Sequence, residues 1–359
     1  MAYRNLIKVF TIILFAGCSA DDDSFISEQP APVEEGAFVA ECRWIYGTMH
    51  HYYYWNEDLP DSLDCDYTLA PVDFFKSLLS KKDRFSYCEQ RQSGTRSTID
   101  TEWPEVPQFD AWAGGLAANP FDTNKSNVLL DSVYHIAGHT VGYLCYSRFD
   151  KEQELEPVMR HFHEEHIDEL VLDLRYNPGG YLSTSQYLAT SVVPDSVYGR
   201  VFQLLRYNHR VSQELYAERG DSLSSYSFLW PTDPDNHLDT PLYGLSLNRV
   251  FILVSNHTAS ASEVMITCMR PFINVIVVGE RTVGKGVGMN TFSDSKYKYE
   301  LVPITFRYYN VNMETTPDEG IEPDYEVPNG YNTAKAEIGK EEEPLFAKVI
   351  ELLQAEAAK

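Results

Sequence analysis

The chain has 359 residues, enough for one large or two modest domains, and its hydrophobic content of 43% is ordinary for a globular protein. Its 53 acidic residues outnumber its 29 basic residues, which gives a formal net charge of −24. A chain with this much negative charge is poorly suited to bind nucleic acid or an anionic membrane surface, so neither is expected as a partner.

Residues 1–17 have the features of an export signal. Arg4 and Lys8 are basic, and the apolar run over 9–17 is too short to span a bilayer. The segment that ends in Cys18 resembles a bacterial lipoprotein signal. This resemblance predicts cleavage before Cys18, a lipid anchor on that residue and an outer-membrane location in the envelope of a Gram-negative cell. An ordinary secretory signal is the alternative.

Residues 18–36 are acidic and contain prolines, which predicts a flexible tether between the membrane and the first domain. The start of this tether, residues 19–23, resembles the acidic tag that sends some Gram-negative lipoproteins to the cell surface. A plain solvated linker explains the same residues equally well.

Residues 37–90 predict a small helical N-terminal domain. Apolar residues recur at helical spacing over 37–54, and a second helix is expected near 71–79 with Pro71 in its first turn. Residues 91–128 show little periodicity and are interpreted as an irregular connecting segment.

Removing Cys18 leaves five cysteines, an odd number, so at least one is a free thiol or pairs with another chain. Cys145 and Cys268 fall in apolar patterns and are expected to be buried thiols. Cys65 and Cys88 lie in polar surroundings, and the sequence leaves a disulfide between them open.

Residues 129–359 alternate between strand and helix patterns, which predicts an α/β domain. The runs 170–174, 250–254 and 275–278 are continuously apolar, as expected for strands buried on both faces. A strand is also predicted over 141–146. Helices are predicted over 155–162, 261–272 and 345–353.

A serine and a lysine follow two of these strands. Ser260 lies in the run Thr-Ala-Ser-Ala-Ser-Glu where a strand meets a helix, and Lys285 lies between two glycines 25 positions later. A serine hydroxyl needs a base to accept its proton, and a lysine amine is a base only when neutral. Burial favours the neutral amine. Val283 and Val287 are neighbouring apolar residues that are expected to exclude water from it.

These motifs resemble those of the tail-specific, or C-terminal processing, serine peptidases. In that family the middle serine is the nucleophile and the Gly-Lys-Gly lysine is the base, which implies a Ser260–Lys285 dyad. Residues 171–180 resemble the strand and glycine turn of the family, and 320–324 resemble its closing Gly-Ile-x-Pro-Asp motif. The resemblance implies a crotonase/ClpP-like spiral of ββα units, no cofactor and a peptide or unfolded protein as substrate.

A serine peptidase also needs donors for the oxyanion. The backbone N–H of Ala261 at the start of a helix is one candidate. The family resemblance places the second donor in the turn containing Gly179 and Gly180, with Asn177 bracing the turn through its side chain. The residues do not distinguish between the two glycines.

Two features depart from the family. Met289 stands where many relatives have a glutamine that orients the lysine, and Asn290 is the candidate substitute. Many relatives also carry a PDZ domain where this chain has segment 91–128, which is shorter than the roughly 80–100 residues of a small domain. We therefore predict that the PDZ domain is absent.

Other sites are weaker candidates. A predicted helix carries three histidines interleaved with glutamates: His161, His163 and His166. This pattern favours a solvent-exposed helix face, so no metal site is predicted. His257 lies three residues before the serine and is not expected to be the base.

The main alternative to a peptidase is a weakly active or inactive peptide- or ligand-binding lipoprotein. A thioester-processing enzyme is a further alternative. The sequence does not predict the oligomeric state.

Overall fold

The computed structural model describes residues 37–91, 126–150, 152–229, 240–328, 330 and 337–358. The predictions for the export signal, for Cys18, for the tether and for nearly all of segment 91–128 therefore lie outside the described residues. Within the described ranges, no helix combines the length and apolar composition needed to cross a bilayer.

The largest sheet has six strands in the order β13-β8-β7-β4-β3-β2. Strand β2 pairs antiparallel with β3, and the other neighbours are parallel. All residues of β4 are buried, which confirms that its apolar run lies between two packed layers. The strands are β2 (Val128–Ile136), β3 (His139–Tyr146), β4 (Glu169–Asp173), β7 (Arg249–Val254), β8 (Asn274–Gly279) and β13 (Tyr325–Glu326).

Helices cover both faces of this sheet. Apolar residues of α3, α4 and α6 share one core with alternate residues of the central strands. The opposite face packs against α7. The prediction of an α/β domain is thus confirmed. These helices are α3 (Glu156–Glu164), α4 (Leu182–Val192), α6 (Ala261–Met269) and α7 (Pro344–Ala357).

A second, antiparallel sheet has the order β6-β5-β12-β9, and α5 (His209–Arg219) lies between β5 and β6 in the chain. Strand β9 begins two residues after Lys285, so this sheet continues directly from the candidate base. Its strands are β5 (Val201–Tyr207), β6 (Leu223–Ser227), β9 (Val287–Met289) and β12 (Ile304–Tyr309).

Residues 37–91, here called the N-terminal unit, contain α1 (Val39–Tyr52), α2 (Pro71–Ser77) and β1 (Tyr87–Gln90). Both predicted helices are present. Strand β1 pairs with β11 (Tyr299–Val302), which also pairs with β10 (Phe292–Ser293). The core of the unit is completed by Val287, Leu301 and Ile304. The N-terminal unit is therefore packed against the α/β domain through a shared core.

One local expectation differs from the structure, and one possibility that the sequence left open is decided. Helix α6 ends at Met269 instead of Phe272, because Pro271 lacks an N–H and its ring does not fit a continuing helix. The disulfide left open between Cys65 and Cys88 is absent, since both are free thiols. Cys145 and Cys268 are buried, as expected.

Candidate active site

Three neighbouring parallel strands bring the candidate residues together. Strand β7 lies between β4 and β8, and all three end at the same edge of the sheet. Residues after β4 form the glycine turn (177–180), those after β7 form the serine loop (255–260) and those after β8 form the lysine loop (280–286). The carboxyl edge of a parallel sheet is where α/β proteins usually place their ligands.

Ser260 has a strained backbone conformation. Its φ is +55° and its ψ is −119°, at the position just before α6 begins. Non-glycine residues rarely adopt positive φ, and such strain costs about 1–3 kcal/mol, which the surrounding structure must offset. A serine on a strained strand-to-helix turn is the arrangement of many hydrolase nucleophiles. Its side chain is half-buried at the surface of the site.

The serine loop is bonded to the end of β4. The hydroxyl of Ser255 donates to Arg175 O at 2.5 Å, and that of Thr258 donates to Leu174 O at 2.9 Å. Thr258 O in turn accepts a hydrogen bond from Val283 N–H of the lysine loop. Two buried hydroxyls thus bond the serine loop to the end of β4, and a backbone hydrogen bond joins it to the lysine loop.

Asn177 braces the glycine turn, the role predicted from the sequence. Its Oδ1 accepts the N–H of Gly179 at 2.9 Å, and its Nδ2 donates to Tyr146 O at 3.0 Å. Its backbone carbonyl accepts the hydroxyl of Ser262 at 2.9 Å and the N–H of Ala259. One fully buried residue therefore connects the glycine turn with both sides of Ser260.

Gly179 lies against the serine. Its φ is +108°, and a Cβ atom there would lie 2.7 Å from Ser260 Cβ and 2.9 Å from Ala261 N. Only glycine allows this approach. The Gly179 N–H is already bonded to Asn177, whereas the bridge to Phe149 uses Gly179 O and Tyr181 N–H and leaves the Gly180 N–H uninvolved. Gly180 is therefore the better second candidate beside Ala261 for an oxyanion donor.

Glu263 links the serine to the lysine, a role that the sequence analysis did not predict. Its Oε2 accepts Ser260 N–H at 2.9 Å and Lys285 N–H at 2.8 Å, so these two backbone nitrogens lie within two hydrogen-bond lengths of each other. Its Oε1 accepts Gly284 N–H and the Thr282 hydroxyl. The glutamate three residues after a helix-capping serine was the available signal, since it is typical of a capping box.

The Glu263 carboxylate is fully buried. Burial raises the pKa of this carboxyl group above its ordinary value, while its four hydrogen bonds act to lower it. Four donors around two oxygens match a carboxylate, which only accepts hydrogen bonds.

Lys285 is buried, with 4% of its surface exposed. Burial lowers the pKa of its amine from 10.5 to about 7, against the opposing influence of the Glu263 and Asp83 charges. Val287 is also buried and Val283 is half-buried, consistent with their predicted part in excluding water. An amine with such a pKa is largely neutral slightly above neutral pH and can then accept a proton.

The two glycines beside Lys285 allow close approach to residues 316–318. A Cβ atom at Gly284, whose φ is +83°, would lie 2.2 Å from Asp318 O, and one at Gly286 would lie 2.7 Å from Thr316 O. The closing motif over 320–324 also contacts the lysine loop, because the Thr282 hydroxyl accepts Ile321 N–H. The third sequence motif therefore supports the lysine loop.

Other predicted residues are placed as follows. Asn290 accepts a hydrogen bond from the Thr305 hydroxyl, which ties its side chain to β12. Met289 lies against the core of the N-terminal unit.

His257 is buried, and burial lowers the pKa of its imidazole to about 4, so it is neutral at neutral pH. Within the part of the chain that the structure describes, no group of three metal-ligating side chains is found.

Comparison with known proteins places the chain within a peptidase family. The model of peptidase family S41 matches residues 140–327, and that of the peptidase S41 N-terminal domain matches residues 40–87. A carboxyl-terminal-processing protease of Synechocystis is 27% identical over 52% of this chain and 39% of its own length. The carboxy-terminal processing protease CtpB of Bacillus subtilis is also 27% identical, over 46% of this chain and 30% of its own. The chain thus aligns with well under half of either relative.

Two solved structures have the same fold. A Bacteroides fragilis protein, provisionally described as an S41 protease, superposes with a TM-score of 0.68 at 20% identity, covering 92% of this chain and 99% of the other. The photosystem II D1 C-terminal processing protease superposes with a TM-score of 0.55 at 16% identity, covering 90% and 98%. At these identities the likeness establishes the fold alone.

Proposed function

Because this chain belongs to peptidase family S41, we propose that it is a serine endopeptidase of the C-terminal processing type, which cleaves peptides or unfolded proteins. The observation that best supports this proposal is the buried carboxylate of Glu263, which accepts the N–H groups of both Ser260 and Lys285. These two bonds hold the backbones of a strained serine and a buried lysine close together, which supports a serine–lysine dyad.

In the proposed mechanism, neutral Lys285 accepts the proton of the Ser260 hydroxyl as its oxygen attacks the peptide carbonyl. The N–H groups of Ala261 and Gly180 stabilise the oxyanion that forms. Lys285 then donates the proton to the leaving amine, which gives an acyl-enzyme on Ser260. The same lysine deprotonates a water molecule, which attacks this ester. The protonated lysine then returns the proton to Ser260 Oγ as the acyl product leaves, which restores the free enzyme. No step needs a cofactor.

The lysine predicts how hydrolysis depends on pH. Only neutral Lys285 is a base, so kcat/KM should increase about tenfold per pH unit below pH 7 and level off above it. Initial rates on denatured casein between pH 5 and pH 9 test this expectation, with a parallel unfolding measurement to confirm that the protein stays folded. A rate that falls as the pH rises through 7 would contradict a lysine base.

The second candidate function is peptide binding without turnover, and it is favoured by Met289 in place of the usual glutamine. A folded protein that binds unfolded casein but releases no fragments at any pH would support it. Fragments that accumulate with time would support the peptidase instead.

The proposed setting is the cell envelope, with a lipid anchor on Cys18. In cells grown with radioactive palmitate, we expect the protein to be labelled and to fractionate with the outer membrane, because lipid chains bind membranes by burying their methylene groups. Cys18→Ala should remove the label, whereas Cys65→Ala should retain it. A label that persists in Cys18→Ala would contradict the anchor.

A further inference from the structure

A tight turn of the N-terminal unit, residues 83–86, reaches the lysine loop. The carboxylate of Asp83 defines the turn, since its Oδ1 accepts the N–H groups of Phe85 and Ser86, both at 2.9 Å. Its Oδ2 accepts the hydroxyl of Tyr53 at 2.7 Å, and Tyr53 is fully buried. The 83–86 turn is therefore fixed to the core of the N-terminal unit.

Arg84 connects this turn to both segments that surround the lysine. Its Nη2 donates to Gly284 O at 2.8 Å and to Asp318 O at 2.9 Å, and lies 3.5 Å from Val283 O. Gly284 directly precedes Lys285, and Asp318 belongs to the segment that packs on the glycines of the lysine loop. Charge-assisted hydrogen bonds to carbonyl groups are stronger than neutral ones, so Arg84 restrains the loop backbone at this point.

Phe85 lies beside the amine itself. The centre of its ring is 5.3 Å from Lys285 Nζ and 4.8 Å from the guanidinium carbon of Arg84. A ring at this position has two opposing effects: it excludes water, which disfavours the cation, and its face attracts the cation. Burial has the largest effect on the pKa of Lys285 and outweighs the opposing effect of the Glu263 and Asp83 charges. We therefore expect the exclusion of water by the Phe85 ring to outweigh the attraction between its face and the cation.

We propose that the 83–86 turn is a positioning element of the active site, in which Phe85 shields the Lys285 amine from water and Arg84 fixes the backbone of the lysine loop. The catalytic consequence rests on the proposed peptidase function. The effect of Phe85 on the titration of Lys285 does not rest on that function, because it is a property of the folded protein without substrate. The N-terminal unit would then be required for a competent base.

The shield is tested by titrating Lys285 directly in the full-length protein labelled with ¹³C-lysine, where Lys285→Arg identifies the signal. In Phe85→Ala, water reaches the amine, and we expect the lysine to titrate about one pH unit higher than in the wild type. The lower limb of kcat/KM should move by the same amount. Phe85→Leu, which keeps the apolar cover, should titrate near the wild type.

Phe74→Leu is the matched control. Phe74 is a fully buried phenylalanine of α2 in the same core, and its ring contacts Tyr67. This variant should lower the Tm without moving the titration of Lys285. The proposal is overturned if Phe85→Ala titrates like the wild type, or if Phe74→Leu produces an equal shift. Because the titration requires no turnover, it is decisive even if the protein proves not to hydrolyse casein.

Arg84 is tested through the separate effects on kcat and KM. A loosened lysine loop should lower kcat about tenfold in Arg84→Ala while KM changes little, because the loop orients the base. Arg84→Lys cannot reproduce the bonds to both carbonyls and should recover only part of the loss. Arg210→Ala, at an exposed arginine paired with Glu214, is the control and should match the wild type. An unchanged kcat in Arg84→Ala would overturn this part of the proposal.

Discussion

Replacing Ser260 by alanine is expected to lower kcat for denatured casein by about 10⁴-fold or more, because no other group in the site would form the acyl-enzyme. Binding should persist, since the variant removes only one oxygen atom. The measurement is the initial rate of fragment release by the purified protein. Ser212→Ala on α5, away from the site, is the control and should retain full activity. Cleavage that survives in Ser260→Ala would show that the nucleophile is wrongly assigned.

Lys285→Met should be equally inactive and yet more stable than the wild type. The wild type buries an amine that water would solvate better, so an apolar side chain of similar length should raise the free energy of unfolding by about 1–2 kcal/mol. Opposite changes in activity and stability distinguish a base from a structural residue. A variant that loses both would indicate that Lys285 supports the fold.

Glu263→Ala is expected to lower the free energy of unfolding by about 3–5 kcal/mol. The substitution leaves the N–H groups of Ser260, Gly284 and Lys285 and the Thr282 hydroxyl buried without their acceptor. Activity should fall as well, because the strained conformation at Ser260 loses the bond that fixes its N–H. Urea unfolding followed by fluorescence measures the change in stability.

Two variants control this experiment. Glu263→Gln retains one carbonyl acceptor but turns an NH₂ group towards the remaining donors, so its loss of stability should be smaller than that of alanine while activity still falls. Glu322→Ala removes an exposed glutamate paired with Arg281 and should change the free energy of unfolding by no more than about 0.5 kcal/mol. A loss in Glu263→Ala no larger than in Glu322→Ala would refute the linking role of Glu263.

Much of the α/β domain could be predicted because its signals are local. Apolar runs buried on both faces gave strands β4, β7 and β8 within a residue or two of their observed bounds. Helix α6 was placed correctly at its start, where the serine run caps it, and extended too far at its end, where Pro271 stops it. The finer assignment to a crotonase/ClpP-like spiral, and the absence of a PDZ domain, stay predictions.

The partners of the site residues were harder to predict. The sequence identifies Glu263 only as part of a motif, because spacing along the chain does not indicate which buried donors meet a carboxylate. The choice of Gly180 over Gly179 depends on which N–H is already bonded to Asn177, a contact within a turn that periodicity does not describe. The free thiols of Cys65 and Cys88 likewise follow from where two segments lie in space.

By itself, the sequence determined the strand–turn–helix segments that present Ser260, the glycine turn and Lys285, since apolar periodicity and the placement of glycines are local properties. Only the tertiary structure decided that Glu263 lies where these segments meet and bonds to both the serine and the lysine. It also decided that Arg84 bonds to the carbonyl of Gly284, 200 positions along the chain. Such contacts depend on how three elements pack together, and hydrogen bonding between distant segments leaves no periodic trace in the residues that make it.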